Sequence, residues 1–170
     1  MSSIIITSHD VLKTLQIGIN RKSQKENNCY NYFFTPNVSI RIYKPLISVV
    51  NKDYIVFKFD KYRNSGMYHL IEDINKRLYS VVESNYNIEG IQRDNILLVN
   101  ENFVYLKAHL PHKNSKYFIS VHNKDTDQLS GTFWLPNANA VYDEVVLDIR
   151  NVWQYRNKLG YRLELKYVSL

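Results

Sequence analysis

The stretch "NVWQYRNKLGYRLELKY", Asn151 to Tyr167, mixes rings and cations closely. Trp153, Tyr155, Tyr161 and Tyr167 are interleaved with Arg156, Lys158, Arg162 and Lys166, and Arg150 stands just ahead. Rings offer faces on which any base can stack, while cations follow the phosphates, so the mixture suits a single strand of any sequence. Similar parts recur upstream: Arg41 in "VSIRIYK", Lys58 in "YIVFKF", Tyr105 and Lys107 in "FVYLKAHL", Trp134 in "GTFWLP". Stacking is expected of Trp153, Tyr155, Tyr161, Trp134 and Tyr105. Phosphate contact is expected of Arg41, Lys58, Lys107, Arg150, Arg156 and Lys158. The opposing reading is plain β-structure, because Tyr and Trp favour strands and bury well. Trp153, set between Arg150 and Arg156 beside a turn, separates the two readings.

A second chemistry would use carboxylates. Asp148 ends "EVVLD", and "LELK" supplies Glu164 and Lys166 after a hairpin. This order resembles the metal-binding core of restriction-type nucleases, in which two carboxylates hold Mg²⁺ and a lysine helps activate water. The helix expected between the core elements is missing, and Glu-x-Lys also describes any solvent-facing strand. Histidines offer less. His109 and His112 stand three apart with His122 further on, whereas zinc takes three or four N or S ligands in a tight frame. With one cysteine, five glycines, no Gly-rich phosphate loop and no GxSxG, no catalytic residue, metal or cofactor is expected.

The elements that must position these groups follow from length and pattern. The chain's 170 residues suit a single domain, with 45% hydrophobic and 22% charged residues. Net charge is +6 and pI about 9.3, a lean toward an anionic partner. The 14 tyrosines also fit AT-rich coding, which favours Tyr, Lys, Asn and Ile together. Cys29 is the single cysteine, so no internal disulfide is possible; a reducing compartment, cytoplasm or nucleus, is expected. No apolar run reaches membrane-spanning length, and no membrane partner is expected.

Along the chain, Asn20 to Asn31 is polar and reads as a mobile loop near 20–32, with Cys29 inside it. "VSIRIYK" alternates, with Val38, Ile40 and Ile42 on one face; Pro45 ends it, and "LISVV" and "YIVFKF" flank the turn "NKD". A helix is predicted over about Met67 to Val82, where Met67, Leu70, Ile71, Ile74, Leu78, Val81 and Val82 form one stripe, with Ser65 as N-cap. A shorter helix is predicted over Asp10 to Ile17. Strands follow in "NILLV", "FVYLKAHL", "KYFISV", "GTFWL", "EVVLDIRNVW" and "GYRLELKYV", with "NKLG" as the last turn. In that final strand Arg162, Glu164 and Lys166 oppose Tyr161, Leu163, Leu165 and Tyr167. The expectation is a single mainly β domain over 1–170 with one central helix, an OB-type barrel with extra strands, or else a β-sandwich.

The ending "VVLDIRNVWQYRNKLGYRLELKYVSL" resembles the closing hairpin of single-stranded DNA-binding proteins from large DNA viruses and related linear DNA replicons. Shared features are an aliphatic strand, an aromatic residue, a short turn with Gly and an alternating last strand, over about the last quarter of the chain. The resemblance implies an OB-type fold, no catalysis, and coating of replication or repair intermediates. Such proteins often carry an acidic C-terminal tail, and this ending, "KYVSL", departs from that. The expected partner is single-stranded DNA, with RNA and self-association left open. A metal-dependent nuclease and a virion β-sandwich protein are the alternatives.

Overall fold

A computed structural model describes residues 3–24, 28–125, 128–130 and 132–170. In chain order its elements are β1 (Ser3–Ile6), α1 (His9–Lys13), β2 (Gly18–Ser23), β3 (Cys29–Thr35), β4 (Asn37–Tyr43), β5 (Leu46–Val50) and β6 (Tyr54–Asp60). Then come α2 (Ser65–Tyr86), β7 (Gln92–Arg93), β8 (Leu97–Val99), β9 (Phe103–His109), β10 (His112–Lys113), β11 (Lys116–Tyr117) and β12 (Ser120–Asn123). The last three are β13 (Gln128–Ser130), β14 (Glu144–Tyr155) and β15 (Lys158–Ser169). Among the described residues the protein is mainly β with two helices: the central one, and α1, which starts one residue before the short helix expected over Asp10 to Ile17 and stops at Lys13. Among the described residues no helix is long and apolar enough to cross a membrane.

Thirteen strands form one mixed sheet, and β10 with β11 makes a separate ribbon. β14 pairs with β4 on one side and β15 on the other, both antiparallel. β15 meets β9 in parallel, and β9, β6 and β5 follow as antiparallel neighbours. β4 passes into β5 around Lys44, whose positive φ of 49° and the following Pro45 make a corner. A bridge from Leu46 to Val141, just ahead of β14, lies beside that corner.

Alternation explains the core. β4 sends Val38, Ile40 and Ile42 inward, β6 sends Ile55, Phe57 and Phe59, and β9 sends Val104, Leu106 and Ala108. The stripe of α2 covers this interior with Leu70, Ile71, Ile74, Leu78 and Val82, as the helical spacing predicts. Tyr79 joins them, fully buried. The helix starts earlier than its stripe because the Asp60 carboxylate accepts the N–H groups of Tyr62 and Arg63 and tightens the preceding turn. Asn64, not Ser65, is therefore the N-cap, and Asn87 closes the other end in the left-handed region.

Three other expectations change. The polar segment from Asn20 is mostly a hairpin, β2 against β3, with residues 25–27 outside the described set. β2 is an edge strand with nearly every side chain exposed, so its sequence has no apolar alternation. Cys29 is buried within β3. The last turn is Arg156–Asn157, with Arg156 at φ 54°, so Gly160 of the expected "NKLG" turn lies inside β15. Around the expected strand "GTFWL", residues 132–137 form none; Phe133 is buried and Trp134 exposed.

Candidate nucleic-acid interface

Between their inward residues, β6 and β9 present a second set outward. Their register sets Tyr54 against His109, Val56 against Lys107, Lys58 against Tyr105 and Asp60 against Phe103. Rings and cations are consequently neighbours across the pair, with Val56 and Asp60 among them. The Lys58 Nζ sits 3.9 Å from the centre of the Phe103 ring and 5.9 Å from that of Tyr105; the Lys107 Nζ sits 4.1 Å from that of Tyr54. These are cation–π distances. Beside them β8 sets Leu98, 73% exposed, against Tyr105, and β5 sets Val49 against Val56. Past the end of β6, Lys61 approaches the rings of Tyr62 and Tyr68, and Tyr62 is 70% exposed. At about 3.4 Å per residue, the seven-residue strands carry this face for roughly 20 Å.

The same outward row continues across the sheet. Ser39, Asp148, Glu164, His109 and Tyr54 are successive cross-strand partners on β4, β14, β15, β9 and β6. Asp148 and Glu164 are both buried charged residues, and both are met. The Ser39 hydroxyl donates to Asp148 at 2.7 Å, and Arg150 and Arg162 donate to the two oxygens of Glu164 at 2.8 and 3.2 Å. His109, in the same row, is held below the usual imidazole range. Burial is the main cause, with the positive charges of Arg162 and Lys107 adding to it against the opposing pull of Glu164 and Asp53.

Beyond this row β14 runs on and exchanges β4 for β3, forming an arm of β2, β3 and the β14–β15 hairpin. One arm face packs on α2. Tyr161 meets Tyr79 at 5.5 Å and Tyr32 meets Tyr86 at 5.1 Å between ring centres, and Arg21 lies over the rings of Tyr30 and Tyr86. On the opposite face Trp153 covers its partner Gly160, and the Asn151 amide donates to Asn31 at 2.8 Å.

Of the residues expected to bind, Lys58, Tyr105 and Lys107 come together on the β6–β9 face. Trp153, Tyr155, Arg156 and Lys158 come together on the arm. Tyr155 is about half exposed with Arg156 over its ring, and Lys158 lies 3.6 Å from Asp94. Arg150 is tied to Glu164 as described. Arg41 pairs with Glu144 at 3.1 Å in a groove shared with Val146 and Tyr167, and Trp134 stands on no strand, 79% exposed. Tyr161 is a correction: it is 4% exposed and faces α2, so it cannot stack on a base in this fold. Burial also lifts its hydroxyl well above the ordinary tyrosine range.

Tyr54, Phe103 and Arg162 complete the surface, though the expected set lacks them. Alternation in "YIVFKF" already places Tyr54 on the face of Lys58, and "FVYLK" places Phe103 with Tyr105. Arg162 carried a weaker signal, since alternation in "YRLELK" sets it beside Glu164 rather than beside a ring. For the nuclease arrangement, Asp148 and Glu164 do lie opposite each other, but the Arg150 guanidinium lies 3.9 Å from one carboxylate and 2.8 Å from the other. Among the described residues no three His, Cys, Asp or Glu side chains gather as a metal site. No protein-family model matches the chain, and no curated protein matches it.

Proposed function

We propose that this protein binds single-stranded DNA with little sequence preference, without catalysis, and that its sheet is an OB-type barrel. The observation that carries the function is the ring–cation ladder of Tyr54, Lys58, Phe103, Tyr105 and Lys107 on the outward face of β6 and β9. Unpaired bases have free faces to stack on such rings, while a duplex hides them. The lysines, released from the rings they cover, would reach phosphates on either side. RNA would meet the same rings and cations.

Strand pairing supports the barrel. If β4 and β5 are read as one strand bent at Pro45, the neighbours run β4/β5, β6, β9, β15, β14 and back to β4. Numbered in chain order this is 1-2-3-5-4-1, with the third and fifth strands parallel. In OB folds the face of strands 2 and 3 takes oligonucleotides, and here those strands are β6 and β9. One departure stands: α2 follows the second ring strand, where the usual helix follows the third. The resemblance of the closing hairpin to viral and linear-replicon single-strand binders points the same way.

The test is titration of a fluorescent oligo-dT and of a duplex of equal length across a salt series. Tight single-strand binding, with a log–log slope of roughly −3 for about four phosphates, is expected. Equal affinity for duplex, or a flat salt response, would remove the proposal. The cross-strand pair Asp148–Glu164 favours a metal-dependent nuclease as second reading. Mg²⁺-dependent cleavage that disappears in Asp148→Ala and in Glu164→Ala would put that reading first.

A further inference from the structure

Two clefts open on the outward row beside the β6–β9 face. One, of about 260 Å³, is lined by Asp53, His109, His112, Arg162 and Glu164. The other, of about 200 Å³, is lined by Asn37, Phe118, Asp148, Arg150, Glu164 and Lys166. Glu164 and Pro111 belong to both. The Glu164 side chain is only 11% exposed, yet the arginines on its two oxygens are 56% and 59% exposed. A buried carboxylate thus fixes two half-exposed guanidiniums, one on each side. A guanidinium has five N–H donors, so each arginine keeps several beyond its bond to Glu164.

We propose that Arg150 and Arg162, set by Glu164, form a two-part clamp for neighbouring phosphates of the bound strand, one in each cleft. The clamp rests on the single-strand reading above and extends it, carrying the strand from the β6–β9 rings across β15 toward the arm. The chemistry suits the geometry. Planar guanidinium forks match phosphate oxygens, and holding both forks in advance removes the ordering cost that a mobile lysine would incur on binding. Lys166 stands in the second cleft and adds a positive group there, while His109 and His112 line the first. The acids are already engaged: Asp53 by His112 at 2.9 Å, Asp148 by Ser39, Glu164 by the arginines. Glu164 is a positioning residue, touching no phosphate itself.

The sign of one substitution separates this role from simple charge. Removing an acid from a basic surface should strengthen binding to a polyanion. If Glu164 orders the arginines, Glu164→Gln instead weakens oligo-dT binding although the protein becomes more positive. Its salt slope becomes shallower by up to about 1.4, two phosphates at the single-strand coefficient. Arg150→Ala and Arg162→Ala should each lose about half of that. A folded Glu164→Gln variant that binds as tightly as the parent, or tighter, overturns the clamp. Should that variant fail to fold, the double variant Arg150→Lys, Arg162→Lys decides: weakened binding upholds the fork geometry, and unchanged binding overturns it. Failure of the parent itself to bind oligo-dT would instead sink the single-strand reading, and the clamp with it.

Discussion

Trp153 covers Gly160 so closely that a β-carbon at position 160 would stand 2.1 Å from the indole Cζ2. The two are direct cross-strand partners, so the ring lies over the one residue of β15 that leaves room for it. It is neither a free stacking platform nor a core residue, but half-buried on the arm. Gly160→Ala should therefore push the indole off its seat and cost about 1–3 kcal/mol, the usual range for overpacking. Trp153→Ala should cost roughly 2 kcal/mol, below the figure for a fully buried ring. Urea denaturation of both variants checks the pair; a stability-neutral Gly160→Ala would show that the ring does not rest there.

On the β6–β9 face the rings should matter for binding and little for folding. Phe103→Ala, Tyr105→Ala and Tyr54→Ala are each expected to weaken oligo-dT binding by about 1–3 kcal/mol. Lys58→Ala and Lys107→Ala should each flatten the salt slope by roughly 0.7. Anisotropy titrations at several salt concentrations, paired with thermal melts, distinguish lost contacts from lost structure. A Phe103→Ala, Tyr105→Ala double variant with parental affinity would move the site off this face.

His109 links binding to pH. Its folded-state value lies below the ordinary 6.5, mainly through burial and then through Arg162 and Lys107, with Glu164 and Asp53 pulling the other way. A group depressed in this direction binds more protons unfolded than folded, so its share of stability is complete above the ordinary value. That share is lost as pH falls from there through the folded value. A bound phosphate beside Arg162 would raise the imidazole again, so affinity should climb as pH drops below about 6.5. Low pH should thus lower the melting temperature and tighten oligo-dT binding together. His109→Gln should remove this component from both; a variant whose pH profiles match the parent's would rule out His109 as the linked group.

Tyr161 gives a stability prediction of the opposite sign to most. Its hydroxyl is buried against Tyr79 and has no hydrogen-bond partner among the described residues. A buried unpaired donor costs about 1–3 kcal/mol, so Tyr161→Phe should raise stability by roughly 1 kcal/mol and leave oligo-dT affinity unchanged. A destabilised Tyr161→Phe would mean that the hydroxyl has a partner after all.

The same residue shows where the sequence was legible and where it was not. Alternation in β15 already placed Tyr161 with Leu163 and Leu165, the inward set, so its burial was written in the pattern that also made it look like a binding ring. The α2 stripe and the inward residues of β4, β6 and β9 could be read directly, because each depends on spacing within one segment. The β2–β3 hairpin could not. Its polar edge strand exists through pairing with β3, and β3 in turn through pairing with β14, more than a hundred residues away in sequence. Arg162 was not among the expected binding residues although alternation already set it beside Glu164 on β15, and that Arg150 shares this partner becomes visible only once the register of β14 and β15 is known. "GTFWL" failed as a strand although Phe133 and Trp134 do point apart, since opposed neighbours need no ladder.

β14 belongs to two ladders at once, with β4 beside its first half and β3 beside its second, while β15 flanks it nearly end to end. Where the ladders hand over, Arg150 and Asn151 pair with neither β4 nor β3, and the pairing with β15 shifts register between Ile149 and Val152. The backbone amides of Val145 to Ile149 and of Val152 to Gln154 should therefore exchange with deuterium as two slow sets, with those of Arg150 and Asn151 faster between them. The spacing between the arm and the β6–β9 face is then set at that step, as the jaws of a gauge are set at its screw.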